Sequence, residues 1–175
     1  MKNIALRSIV ILSAICLAAA ALLAVTNLVT EPIIRESEAA EAKAALAEVM
    51  PEGGEFTAID VPENAPATVT AVWQSEVGYV FQLTASGYAP GIRIMCGIGF
   101  DGKITGVKTV SSSETPGFGK KCEEAWYGEQ YKGADSSLDG VDAISGATKT
   151  SNGYKGAIRD AFELFASLTS ERGES

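Results

Sequence analysis

Residues 142–151 form a short polar loop that leads directly into an amphipathic segment: Asp142-Ala143-Ile144-Ser145-Gly146-Ala147-Thr148-Lys149-Thr150-Ser151. The segment, residues 150–168, predicts a helix because its apolar side chains recur at helical spacing, namely Tyr154, Ile158, Phe162, Phe165 and Leu168. The Thr148 hydroxyl thus lies just before a helix N-terminus, where unpaired N–H groups and the helix dipole favour a phosphate. Gly146 and Ala147 would let a bulky group approach the backbone closely. The alternative is an ordinary helix start, in which Ser and Thr side chains cap the first N–H groups.

A β-rich block precedes this loop, with four predicted strands at residues 67–74, 79–86, 92–100 and 103–110. Between the last two strands, Asp101-Gly102 is the strongest short hairpin signal in the chain. Gly97 and Gly99 predict a bulge or a close backbone contact in the first arm of that hairpin. The predicted fold class is therefore α+β, with helices covering one face of a mostly antiparallel sheet.

The N-terminal segment predicts a single transmembrane helix. Residues 8–30 contain no charge, and residues 9–25 are almost wholly aliphatic or alanine, which is long enough to cross the hydrocarbon core of a bilayer. Lys2 and Arg7 precede this run, so its basic flank predicts a cytoplasmic N-terminus and a C-terminal domain on the extracellular or periplasmic side of the cell (inner) membrane. A signal peptide cleaved near residues 18–20 is disfavoured, because the apolar run continues well beyond them.

Three parts are predicted: a transmembrane anchor (1–30), a juxtamembrane helix with its linker (31–54) and an external domain (55–175). Pro32 predicts a fresh helix start, and Pro51-Glu52-Gly53-Gly54 ends the juxtamembrane helix. Beyond residue 30 the chain carries 12 basic and 22 acidic residues, a net charge of −10. This acidity argues against binding to nucleic acid or docking onto anionic lipid.

The composition excludes several kinds of site. The chain has no histidine, which rules out a His-ligated metal or haem and a His general base. Its three cysteines, Cys16, Cys96 and Cys122, show no CxxC spacing. We expect Cys96 and Cys122 to be two core thiols, with a disulfide between them as the alternative. No pattern indicates a catalytic acid–base pair, a nucleophilic dyad or a metal site.

A second loop of unusual composition, Ser113-Glu114-Thr115-Pro116-Gly117-Phe118-Gly119, follows the hairpin. One interpretation is a compact turn with the aromatic ring of Phe118 tucked into the core. The other is a wall for a flat aromatic ligand, in which the glycines permit close approach and Phe118 supplies an apolar surface. The loop alone does not decide between them.

The motif formed by Asp142, Ser145, Gly146, Ala147, Thr148 and Thr150 resembles the flavinylation motif of the FMN-binding domain family. The resemblance implies that a flavin transferase esterifies the phosphate of FMN to Thr148. It also implies that Asp142 is part of the sequence recognised by that transferase. Lys149 then either pairs with the phosphate or is a solvated residue of the first helical turn.

The resemblance extends over most of the external domain. Residues 87–92, the strands that follow and Glu114–Gly119 are similar to the G subunit of Rnf-type electron transport complexes, and are related to the C subunit of the Na⁺-translocating NADH:quinone reductase. In those families this loop lines the isoalloxazine ring, which implies that role for Glu114, Thr115, Gly117, Phe118 and Gly119. Phe118 replaces the usual leucine, and Ser112 or Ser113 stands where many members carry histidine.

The resemblance implies a membrane-anchored electron carrier in an Rnf-type ferredoxin:NAD⁺ oxidoreductase coupled to Na⁺ or H⁺ translocation. Its flavin would pass electrons between an intramembrane iron–sulfur centre and the flavin of another subunit. The expected partners are the other membrane subunits of the complex, the flavin transferase during maturation and the lipid around residues 8–30. Alternatives are the C subunit of the quinone reductase, a stand-alone flavinylated module for extracellular electron transfer, and a sensor module without covalent flavin.

Overall fold

The computed structural model describes residues 2–173, apart from the side chains of residues 2–10, 14, 29, 32–39 and 171–173. The chain divides into two compact units, Met1–Glu41 and Ala42–Ser175. Helix α1 (Lys2–Val49) comes first and is followed by strands β1 (Thr57–Ile59), β2 (Val69–Gln74), β3 (Gly78–Ser86), β4 (Pro90–Gly99) and β5 (Ile104–Ser111). A 3-10 turn (Gly119–Glu123) then leads to helices α2 (Ala125–Glu129) and α3 (Thr148–Gly173).

The first unit contains the part of helix α1 up to Glu41, which includes the apolar run. Ile11–Leu28 has a mean hydropathy of 2.2, so this part of the helix is long and apolar enough to cross a membrane by length and composition. The backbone is helical throughout Lys2–Val49, so Pro32 lies inside the helix and the predicted fresh start there was wrong. A proline removes a single N–H donor, and the helix-forming Ala, Glu and Leu residues that follow continue the helix beyond it.

The second unit is built on one sheet of five antiparallel strands in the order β1-β2-β3-β4-β5. The predicted strands correspond to β2–β5, and the predicted hairpin at Asp101-Gly102 is confirmed. The Gly99 N–H donates a 2.9 Å hydrogen bond to the Lys103 carbonyl, and Gly102 has a φ of +75°. The register between β4 and β5 shifts at Gly97, which confirms the irregularity predicted there.

Both faces of this sheet are covered. Alternate residues of β3 and β4, including Phe81, Leu83 and Ile94, pack against the apolar stripe of α3. On the opposite face Val80 and Met95 contact a second cluster, formed by Ala45, Leu46, Val49 and Met50 from the end of α1 and the residue after it. We expected helices on one face. The second face also requires cover because its own positions on β3 and β4 are apolar.

The outer edge of β5 is covered by the segments that follow it. Ile104 exchanges backbone hydrogen bonds with Ala134 and Gly133. Farther along the strand, α2 passes so close that a Cβ at Gly128 would lie 2.3 Å from the carbonyl oxygen of Val107. The 3-10 turn contacts the same strand, since Thr109 Oγ1 donates a 2.6 Å hydrogen bond to the carbonyl of Cys122. These contacts hold residues 119–134 against the sheet.

Candidate functional site

The loop of residues 142–147 brings Thr148 to the first position of α3, which begins two residues before the predicted segment 150–168. Ile144 and Ala147 are buried and anchor the loop to the core, whereas the Thr148 side chain is exposed. The Gly146 backbone has a φ of +78°, a conformation that favours glycine. The loop therefore presents the Thr148 hydroxyl to solvent at the start of a 26-residue helix.

The loop is held from inside by Ser151. Its fully buried hydroxyl accepts a 2.8 Å hydrogen bond from the Ile144 N–H and donates a 3.1 Å bond to the Ala147 carbonyl. This hydroxyl therefore closes the loop rather than capping the helix. Among the hydrogen bonds of the described residues, none satisfies the N–H groups of Thr148, Lys149 and Thr150. Those three donors, with the positive end of the helix dipole, can bind an anion.

Phe118 lies beside this helix start and is not tucked into the core. Its side chain is 57% exposed. A Cβ at Gly146 would lie 3.3 Å from Cδ1 of Phe118, so the ring packs against the glycine that precedes Ala147. The exposed ring therefore lies beside the loop that carries Thr148, which excludes the interpretation as a compact turn with Phe118 in the core, and its role as a wall for a flat ligand stays a prediction.

Glu114 has its carboxylate turned inward, with 4% of the residue exposed. Oε1 accepts a 2.9 Å hydrogen bond from the Ala89 N–H, and Oε2 accepts a 3.0 Å bond from the Thr150 hydroxyl. A Cβ at Gly87 or Gly119 would lie within 2.3 Å of one of these oxygens. Glu114 therefore joins the turn before β4, its own loop and the first turn of α3.

Tyr88 also lies at the cleft beside Thr148, although it was not predicted as a site residue. It is the most exposed large apolar side chain among the described residues, at 79%. The Lys149 ammonium lies 5.9 Å from the centre of its ring, within the range of a cation–π contact. An aromatic residue inside the turn Gly87-Tyr88-Ala89-Pro90 was the available signal, because such a turn has no core in which to bury the ring.

Together these side chains line an open cleft of 210 Å³, formed by Tyr88, Glu114, Thr115, Phe118, Gly119, Gly146, Ala147, Thr148, Lys149 and Thr150. Nine of these ten residues were predicted as site residues. Three predicted residues do not line the cleft. Ser145 is exposed, Gly117 lies on the outer side of its loop with a φ of +79°, and the Asp142 N–H donates to Oε1 of Gln130.

Two larger cavities of 280 and 430 Å³ lie near the end of α1 and strand β5. Their threonine hydroxyls are already engaged: Thr105 bonds the Val49 carbonyl and Thr109 bonds the Cys122 carbonyl. The smaller cleft combines a free exposed hydroxyl, unpaired N–H groups and two exposed aromatic rings. That combination suits a ligand with an anionic group and a flat ring.

Two family models match the chain, the FMN-binding domain at residues 87–163 and the RnfG N-terminal region at residues 1–49. The chain is 29% identical to the G subunit of the Na(+)-translocating ferredoxin:NAD(+) oxidoreductase complex of Acetobacterium woodii, over 71% of this chain and 74% of that protein. It is 31% identical to the G subunit of the ion-translocating oxidoreductase complex of Cereibacter sphaeroides, over 69% of this chain and 66% of that protein.

The G subunit of the ion-translocating oxidoreductase complex of Methanosarcina acetivorans is 32% identical, over 68% of this chain and 72% of that protein. The FMN-binding domain model covers the whole cleft, from Tyr88 to Thr150. The resemblance inferred from the two loops is thereby confirmed. The chain belongs to the family of G subunits of ion-translocating oxidoreductase complexes, and residues 87–163 are its FMN-binding domain.

Proposed function

We propose that this chain is the membrane-anchored electron-transfer subunit of an Rnf-type ferredoxin:NAD⁺ oxidoreductase and that it carries FMN as a phosphoester on Thr148. The family, the FMN-binding domain and the candidate transmembrane helix support the proposal. Bound FMN supplies the electron-transfer chemistry, whereas the chain supplies attachment, orientation and electrostatics.

The observation that carries the proposal is the place of Thr148 among the hydroxyls around the cleft. Thr148 and Thr115 are both exposed within it, but Thr148 stands at the first position of α3, whereas Thr150 is 1% exposed and donates its hydroxyl to Glu114. Ser151 is fully buried and Ser145 does not line the cleft. A phosphate attached to Thr148 would lie beside the unpaired N–H groups at the start of α3, where the helix dipole stabilises it.

The same cleft suits part of a flavin ring. Phe118 and Tyr88 supply aromatic surfaces, and Gly119 leaves the backbone open to close approach. The volume of 210 Å³ is below the roughly 300 Å³ at which pockets begin to enclose a whole ligand. The chain therefore covers part of the cofactor and leaves part accessible, which suits electron exchange with neighbouring subunits.

Asp142 and Lys149 have supporting roles in this proposal. The Asp142 carboxylate is exposed, and the hydrogen bond from its N–H to Gln130 fixes its backbone, so the flavin transferase can recognise it from outside. The Lys149 ammonium lies at the cleft and can turn from the Tyr88 ring towards the phosphate. Neither residue needs to move a proton.

The proposed orientation places the N-terminus in the cytoplasm and the FMN-binding domain outside, since Lys2 and Arg7 precede the apolar run. The partners are the other membrane subunits of the complex, with lipid surrounding residues 8–30. Electron transfer through the complex is coupled to translocation of Na⁺ or H⁺.

The decisive experiment follows in-gel flavin fluorescence under denaturing conditions, after co-expression with the flavin transferase. Thr148→Ala should abolish the fluorescent band because the attachment oxygen is removed. Ser113→Ala is the matched control, since it removes an exposed hydroxyl that lies outside both the motif and the cleft lining, and it should keep the band. Fluorescence that survives in Thr148→Ala would refute attachment at this residue.

A second experiment purifies the full-length protein from its native membrane. Purification without membrane-embedded partner subunits would refute its role in a complex.

A further inference from the structure

Among the side chains that the structure describes, Glu114 is a buried carboxylate without a cationic partner. It is among the four buried polar or charged residues of the described chain, and the other three, Ser75, Thr150 and Ser151, are neutral hydroxyl residues. Within the described residues it forms no ion pair, and both of its contacts are donors of neutral hydrogen bonds, the Ala89 N–H and the Thr150 hydroxyl. Both oxygens act as acceptors in these two contacts.

The position of this charge is fixed by the backbone around it. A Cβ at Gly119 would lie 2.2 Å from Oε2, and a Cβ at Gly87 would lie 2.3 Å from Oε1. The two glycines therefore bracket the carboxylate, and each hydrogen bond holds one oxygen. The charge cannot turn towards solvent without breaking both bonds.

We propose that Glu114 sets the reduction potential of the flavin by placing a buried negative charge at the cleft. The proposal rests on the function proposed above, since it requires FMN in that cleft. Glu114 acts here as an electrostatic and positioning residue and takes no part in bond making.

The physical reason is electrostatic repulsion. Each electron that the flavin ring accepts adds negative charge to it, and a fixed carboxylate beside the ring disfavours that charge. Because the Glu114 carboxylate itself is shielded from water, with 4% of the residue exposed, its interaction with the ring is screened less than one between two exposed groups. The potential of the bound flavin should therefore be lower than it would be beside a neutral residue.

Among the contacts that the structure describes, none brings the Lys149 ammonium close enough to neutralise the Glu114 carboxylate. Its side chain is exposed, and its ammonium lies over the Tyr88 ring. An exposed cation interacts through water and is screened by salt. Glu114, by contrast, remains buried whatever Lys149 does.

The test is the midpoint potential of the covalently bound flavin in the full-length protein in detergent. Glu114→Gln removes the charge, while its amide oxygen can still accept from Ala89 and its NH₂ can still bond the Thr150 hydroxyl. The potential should rise, and the difference from the wild type should persist at high salt. Thr150→Ala should shift it the opposite way, because the carboxylate then loses the donor that offsets its charge.

The matched control is Glu123→Gln. Glu123 lies outside the cleft, accepts its hydrogen bonds from Ser112 and pairs with the exposed Lys120 ammonium at 4.0 Å, so its charge is offset locally and the potential should stay at the wild-type value. In-gel fluorescence of every variant reports flavin loading separately. A wild type without covalent flavin would refute the proposed function itself.

Three results would overturn the inference while leaving that function intact. They are an unchanged potential in loaded Glu114→Gln, an equal rise in Glu123→Gln, and loss of flavin loading in a Glu114→Gln protein with the wild-type unfolding midpoint. The last result would assign the charge to attachment of the flavin instead of to its potential.

Discussion

Thr105 Oγ1 donates a 2.6 Å hydrogen bond to the carbonyl oxygen of Val49, the last residue of α1. This oxygen is one of the helix-terminal acceptors that have no partner within the helix. Gly97 and Gly106 pair across β4 and β5 at the same point. A Cβ on either glycine would lie within 2.9 Å of the Val49 carbonyl oxygen. The last turn of α1 therefore packs directly on the backbone of Gly97 and Gly106, and the hydrogen bond from Thr105 holds it there.

Replacing Gly106 should destabilise the second unit. In Gly106→Ala the added carbon would lie 2.8 Å from the carbonyl oxygen of Val49 and 3.0 Å from its Cα, and neither backbone atom can swing aside as a side chain does. We expect the free energy of unfolding to fall by about 1–3 kcal/mol, as for other overpacked sites. Denaturant unfolding of the full chain in detergent measures it.

The control for that variant is Gly156→Ala in α3, where an added Cβ would meet no atom within 4 Å. It should be neutral or should stabilise the protein by up to about 1 kcal/mol, because alanine is the better helix former. Equal loss of stability in the two variants would mean that the contact with Val49 is not tight.

The stability of the second unit should fall at alkaline pH. Burial raises the pKa of Cys96 to about 12, and it also raises the pKa of Tyr127, Tyr131 and Tyr154. In the unfolded chain such groups ionise near about 8.5 for Cys and 10 for Tyr. A pKa that is higher in the folded state stabilises the fold fully below the unfolded pKa, and this stabilisation is lost as pH rises towards the folded value. The free energy of unfolding should therefore decline above about pH 8.5.

Burial also raises the pKa of Cys122, so Cys96→Ala isolates the share of Cys96 in this decline from that of Cys122 and the tyrosines. Its free energy of unfolding should fall less steeply between about pH 8.5 and 10, where the unfolded Cys96 would otherwise ionise. The slope, and not the absolute stability, is the measured quantity, because the smaller side chain also leaves a cavity. Cys16→Ala, which changes an exposed cysteine, should keep the wild-type slope. A wild-type slope in Cys96→Ala would contradict the prediction.

Removing the Ser151 hydroxyl should loosen the loop before α3. Ser151→Ala leaves the Ile144 N–H without its acceptor in a fully buried position, which costs about 1–3 kcal/mol. Hydrogen exchange of the Ile144 amide should become faster, and the unfolding midpoint should fall. Ser145→Ala, an exposed change in the same loop, should leave both at the wild-type value. Unchanged exchange at Ile144 would show that another group or water replaces the hydroxyl.

The parts of the fold that could be predicted from the sequence are those with a local signal. Asp101-Gly102 defines its hairpin through a turn that needs a glycine at positive φ, and α3 shows a helical stripe over about four turns. By contrast, β1 has three residues and α2 has five, which is too short for any periodicity to appear. Their positions depend on contacts with β2 and β5 that are distant in sequence or specific to the folded chain.

The site residues also divide into those with a signal in the sequence and those whose position depends on the folded structure. Thr148, Phe118 and Gly146 could be assigned to the site because their loops resemble motifs of the FMN-binding domain family, whereas composition alone left an ordinary helix start and a compact turn as alternatives. The inward direction of the Glu114 side chain could not be predicted, since it depends on the space left by Gly87 and on the Thr150 hydroxyl. Tyr88 was missed for a related reason, because its exposure follows from a turn that the folded chain holds against α3.

The covered edge of β5 bears on how copies of this protein behave beside one another. A strand whose outer N–H and C=O groups are free can pair with the same strand of another molecule, and this is a common route to self-association. Here Gly128, Gly133 and Ala134 lie along that edge, and the opposite edge is the three-residue strand β1. The sheet therefore offers other molecules very little backbone for strand addition, so crowding in a membrane should not drive these domains to aggregate through their edges.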